Sequence, residues 1–195
     1  MFEYLMPELL MPAYPDTLLH ETVEAAVLTQ IAYGTERGTP WDSESATTPS
    51  TRDRSTNHRA FGVPGLGFKR GLADDLVIAP YATLLALPVT PGDACRNLEA
   101  PAEKGYLGRY GFYEAIDYTP SRMMRTDEPA IVRAFMTHHH GMSLTALDNV
   151  LNDRAHGAPL HVGPGDARRR AAAPERVPRA GITMKPHSPE PGPRS

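Results

Sequence analysis

The chain has 195 residues, 41% of them hydrophobic, and a formal net charge of −3 at pH 7. That is enough apolar material for the core of one domain of ordinary size, and the acidic balance argues against nucleic acid or an anionic membrane surface as the main partner. Cys95 is the single cysteine, which excludes an internal disulfide and suits a reducing compartment. With no long apolar run and no signal-peptide pattern, the expected location is cytoplasmic, without membrane contact by this segment itself.

The opening "MFEYLMPELLMPAYP" is apolar from its first residues, so it is expected to enter a core directly. From Asp16 onward, Leu19, Val23, Ala26, Val27 and Ile31 recur at helical spacing, with Gly34 and Gly38 as candidate stops. "GTPWDSESATTPSTRDRSTNHR" follows as a polar loop that holds the only tryptophan, Trp41. "AFGVPGLGFKRGL" reads as Gly/Pro turns, and "ADDLVIAPYATLLALPV" as a second helix with Asp74 or Asp75 near its N-terminus. "GDACRNLEAPAEKG" reads as a third, short helix interrupted by Pro101, and "GRYGFYEAIDYTP" as loop and half-turn. "DEPAIVRAFMTHHHGMSLTALDNVLN" is predicted to hold two helices, the first started by Pro129 and the pair separated at Gly141. No segment shows strand alternation, so the expected fold class is all-α. Residues 152–195 carry eight prolines, eight Lys/Arg against four Asp/Glu, and no aromatic residue. Such a Pro/Arg-rich segment cannot offset the entropy of ordering, so it is expected to be a disordered tail or linker behind a domain at 1–151.

Two acids stand beside aromatic residues. Glu44 lies in "WDSESA" near Trp41, and Glu114 lies in "YGFYEAIDY" near Tyr110, Phe112 and Tyr113. Glycosyl transfer uses this combination: one carboxylic acid protonates the leaving oxygen and a second carboxylate attacks or activates water. Aromatic faces stack on sugar rings, and the dry site they create raises an acid's pKa. Surface glutamates beside buried rings explain the same residues. Asp117, three positions after Glu114, could share a helical face with it and tune it, or be solvated.

"THHHGMS" sets His138, His139 and His140 in a row. Neighbouring positions point to different sides of a helix, so the i, i+4 zinc pair of HExxH cannot form. One or two histidines hydrogen-bonding in a polar cleft is the favoured reading, and a metal-dependent hydrolase the lesser alternative. "GVPGLGFKRG" lacks the glycine spacing of a phosphate loop, although Arg59, Lys69 and Arg70 could line a cleft. No metal and no organic cofactor is expected.

Several stretches together carry a more specific signal. "FEYLMPELLMPAYPDTLL", "PWDSESA", "RAFGVPGLGFKRGLADDLVIAPYAT", "GRYGFYEAIDYTPSR" and "VRAFMTHHHGMSLTALDNVL" run in order over about residues 1–151. They resemble the glycoamylase-like domain of bacterial cyclic β-1,2-glucan synthases. The resemblance implies a glycoside-hydrolase α/α barrel, here partial and truncated, since the chain shows about five helices where a closed toroid uses twelve. It implies a parent in the bacterial inner membrane, with glycosyltransferase and phosphorylase-like domains flanking this one. The implied chemistry is glycoside hydrolysis or transglycosylation on β-1,2-glucan, closing a linear chain into a ring. Glu114 then becomes the acid/base and Glu44 the second carboxylate, and the family's paired histidines fall on His138 and His139. Trp41, Tyr110 and Tyr113 are candidate sugar-stacking residues. Arg59, Asp117, His138 and His139 are candidate hydroxyl contacts. A catalytically inactive carbohydrate-binding or structural remnant is the alternative. His140 stands where the family typically has Gln.

Overall fold

A computed structural model describes residues 2–11, 13–41, 46–49, 56–59, 61–67, 71–123 and 128–154. The apolar start folds as a short helix α1 (Phe2–Leu5) followed by a 3-10 turn (Met6–Leu9) with Pro7 in its first turn. Leu5 and Leu9 enter the principal core, as the apolar opening requires. Helix α2 (Leu18–Arg37) is capped by Thr17, whose hydroxyl accepts the His20 N–H at 3.2 Å. It runs past Gly34 and stops at Gly38, where φ of +64° gives the left-handed turn that glycine favours. Val23, Ala26, Val27, Gln30 and Gly34 form its buried stripe.

Next comes an antiparallel ladder of β1 (Ala46–Pro49) and β2 (Thr56–Arg59), in register from Ala46↔Arg59 to Pro49↔Thr56. It occupies part of what reads in sequence as a polar loop. A 3-10 turn (Leu72–Asp74) leads to β3 (Val77–Ile78), and Pro80 opens α3 (Pro80–Leu85). Proline is at ease in a first helical turn but disfavours helical backbone just before it. Ala79 is accordingly extended (φ −126°, ψ 97°), so the single helix expected over this stretch is divided. Helix α4 (Pro91–Glu103) follows and tolerates Pro101 in its last turn.

β4 (Leu107–Gly108) and β5 (Gly111–Phe112) make a tight hairpin, Leu107↔Phe112 and Gly108↔Gly111. β6 (Ala115–Asp117) lies between β3 and β7 (Ala130–Val132) in a three-stranded antiparallel sheet. β1 lies alongside all three of these strands. Helix α5 (Thr137–Leu151) closes the described chain without a break at Gly141.

The expected all-α chain forming part of an α/α barrel is therefore corrected. Among the described residues, five α-helices accompany seven short strands in three antiparallel sheets, and no α/α barrel is present. The cause is double-sided burial. Val77, Ala115 and Val132 pack into the principal core, while Ile78, Ile116 and Ile131 pack into a second cluster with Tyr106. Strands of two or three residues with apolar side chains on both faces show no polar–apolar alternation. The two helices expected over 127–152 are likewise one strand and one helix. Of the tail expected at 152–195, residues 155–195 lie outside the described residues.

Candidate functional site

The hairpin β4–β5, the start of β6, helix α3 and the first turns of α5 meet around Glu114. Gly108 makes the hairpin possible at this spot. A Cβ there would sit 2.8–2.9 Å from the rings of Tyr113 and Phe135. Gly111, with φ of +116°, turns the second strand back over His140. Tyr110 stands at the hairpin tip, 64% exposed, with its ring edge-on to Phe135 at 5.5 Å. Tyr113 also packs on Phe135, with ring centroids 5.4 Å apart.

Glu114 itself is buried. Its Oε2 lies 2.9 Å from His139 Nδ1, and the two side chains are 1% and 4% exposed. Its backbone N–H donates to the Ala134 carbonyl at 3.0 Å, which fixes where the side chain starts. His139 is held from three sides. Its ring lies flat on Tyr81, centroids 3.7 Å apart and planes 9° from parallel. The exposed His138 ring lies 4.0 Å away at 57°, and the Ser143 hydroxyl donates to the His139 carbonyl at 2.8 Å. One proton bridges the pair: Nδ1–H donates to an ionised carboxylate, or the carboxylic acid donates to a bare Nδ1. Proton transfer to or from a group in the adjoining cleft is what such a dyad can do.

That cleft has a volume of about 290 Å3 and reaches from Glu114, His139 and Ser143 past Tyr110 and Tyr113 to Leu107, Leu144 and Leu147. The remaining candidate residues sit elsewhere. Trp41 is buried in the principal core, pressed on Gly34, where an added Cβ would be 2.5 Å from Trp41 Cα and Cβ. The Trp41 N–H donates to Asn97 Oδ1 at 3.1 Å, and Asn97 in turn donates to Thr83. Asp117 is fully buried and tied to Arg122 by Nε–Oδ2 and Nη2–Oδ1 contacts of 2.5 and 3.3 Å. Arg122 also reaches Asp75 at 2.6 Å. Burial alone lowers the Arg122 pKa, but hydrogen bonds and charge from Asp117 and Asp75 outweigh it and hold the guanidinium above its ordinary value. Arg59 pairs through its backbone with Ala46. Glu44, Lys69 and Arg70 lie outside the described residues.

Of the candidates, the structure thus gathers Glu114, Tyr110, Tyr113 and His139 at the cleft, with His138 against His139. It adds Tyr81, which the sequence did not single out, because a ring in the first turn of a short helix carries no local signature. Among the described residues, no group of three or more His, Cys, Asp or Glu side chains is placed to hold a metal ion. Nor is any described helix long and apolar enough to cross a membrane.

Residues 1–155 match the Glycoamylase family, described as "Putative glucoamylase". The chain is also 44% identical over 152 residues to "Cyclic beta-(1,2)-glucan synthase NdvB" of Rhizobium meliloti (strain 1021). The matched stretch is 77% of this chain and 5% of that far longer protein. By the extent of the first match, four fifths of its length, the chain belongs to the Glycoamylase family.

Proposed function

We propose that the Glu114 cleft carries glycoside hydrolase or transglycosylase chemistry on a glucan, with a β-1,2-linked chain as the substrate suggested by the Rhizobium relative. One observation supports it most: a buried carboxyl–imidazole pair opens onto an aromatic-lined cleft. Glu114 gives its proton to the glycosidic oxygen as the bond breaks, and His139 holds the carboxyl in place and shares that proton. The rings of Tyr110 and Tyr113 stack on the sugar. Glu44 is the second carboxylate of this reading, which either attacks the anomeric carbon or activates water.

A second reading is glucan binding without turnover. It is favoured by the fact that, among the described residues, Glu114 is the only carboxylate lining the cleft. Incubation with linear β-1,2-glucan, followed by mass spectrometry for shortened or cyclised products, separates the two. Turnover that falls by about 100-fold or more in Glu114→Gln supports the acid role. Binding without products establishes the second reading. A chain that neither binds nor converts the glucan overturns both.

A further inference from the structure

The cleft has two chemically different ends. Its titratable side chains, Glu114, His139 and His140, lie by the first turn of α5, and the Ser143 hydroxyl follows one turn on. Further along the same helix the lining continues with Leu144 and Leu147, and Leu84 of α3 and Leu107 of β4 belong to it as well. At 1.5 Å per residue, Leu147 lies about 12 Å beyond His139 along the helix axis. Leu107 and Leu144 are 53% and 66% exposed, so this wall is open to an occupant. Small-molecule sites have this character, mostly apolar with a few placed polar groups. A volume of about 290 Å3 exceeds what one pyranose ring needs at the polar end.

We infer that the leucine wall is an aglycone subsite, and that the cleft takes a glucoside whose reducing end carries an alkyl or acyl group. The sugar lies at Glu114 and Tyr113, and the apolar group lies between Leu84, Leu107, Leu144 and Leu147. This rests on the glucan reading for its sugar half alone. Packing of another protein segment on the leucines is the competing use of the wall, and concavity beside polar groups favours the small ligand.

The test is calorimetric titration of the full chain with methyl β-glucoside, hexyl β-glucoside below its micellar concentration, and hexan-1-ol. Hexyl β-glucoside is expected to bind at least about tenfold tighter than methyl β-glucoside, since each buried methylene strengthens binding several-fold. Leu144→Gln and Leu107→Gln, at exposed positions that need not disturb folding, should erase that advantage and leave methyl β-glucoside affinity unchanged. Equal affinity for the two glucosides overturns the subsite while the glucan reading stands. Tight hexan-1-ol binding with no gain from the sugar overturns the assignment to a glucoside and counts against the glucan reading too. Concentration-dependent self-association that Leu144→Gln abolishes, without any hexyl advantage, assigns the wall to protein contact and also overturns it.

Discussion

Arg122→Met removes the guanidinium that ties the turn after β6 to Asp117 within the strand and to Asp75 ahead of β3. Asp117 is fully buried, and three hydrogen bonds satisfy it: two from Arg122 and the Thr119 N–H at 2.9 Å. Only the last survives the substitution. Removing one partner of a buried ion pair costs about 3–5 kcal/mol, because a charge stays buried without its counterion. The Asp75 contact adds less than about 1 kcal/mol, since its side chain is 23% exposed and screened by water. The sum is a large part of the roughly 5–15 kcal/mol that holds a domain folded. Urea denaturation followed by circular dichroism at neutral pH measures it. The double variant Arg122→Met/Asp117→Asn should regain at least about 1 kcal/mol, because the buried charge is gone. A cost below about 1 kcal/mol for the single variant would refute the view that Asp117 depends on Arg122. The consequence reaches the cleft, because Glu114 immediately precedes β6, the strand this network anchors.

Burial raises the Glu8 carboxyl above its ordinary 4.5, outweighing the opposing pull of Arg154, His20 and a backbone hydrogen bond at Ala13. The folded chain then holds that proton more tightly than the unfolded one, so stability falls as pH climbs from about 4.5 through the raised value. Glu8→Gln should therefore melt higher than the parent near pH 8, with the gain shrinking toward pH 4; a pH-independent difference would contradict this. Gly34→Ala forces a Cβ to 2.5 Å from Trp41 and should cost at least about 1–3 kcal/mol in thermal melts. Gly141→Ala meets nothing within 4 Å inside α5 and should stabilise by about 0.5–1 kcal/mol. Gly108→Ala displaces the Tyr113 and Phe135 rings and is expected to weaken glucan binding about tenfold or more with the helical signal intact; unchanged affinity would detach the hairpin from the site.

What could be read from sequence follows which side chains report their surroundings. Helix α2 was legible because Leu19, Val23, Ala26, Val27 and Ile31 recur at helical spacing and Val23, Ala26 and Val27 of that set are buried, although Leu18 and Leu28 stand exposed on the same helix. The central sheet was not, because Val77 and Ile78 are adjacent and both buried. Glu114 drew attention through its aromatic neighbours, but its partner could not be read. Successive residues on a helix turn by about 100°, so only one of His138, His139 and His140 can face the carboxyl. The rotation of α5 decides which. Apolar spacing alone would turn Leu144, Leu147 and Leu151 inward. The helix instead buries His139, Ser143, Ala146 and Asn149, a stripe of small and polar residues one turn apart. Asn149 Nδ2 donates to the Leu9 carbonyl at 2.9 Å, and His139 is held by Glu114 and Tyr81. Those contacts span 140, 25 and 58 positions of the chain, so no local window contains them. The same rotation leaves Leu144 and Leu151 at 66% and 76% exposure. Bringing His139 to Glu114 and presenting a leucine wall to the cleft are thus one event, set by the polar stripe of α5.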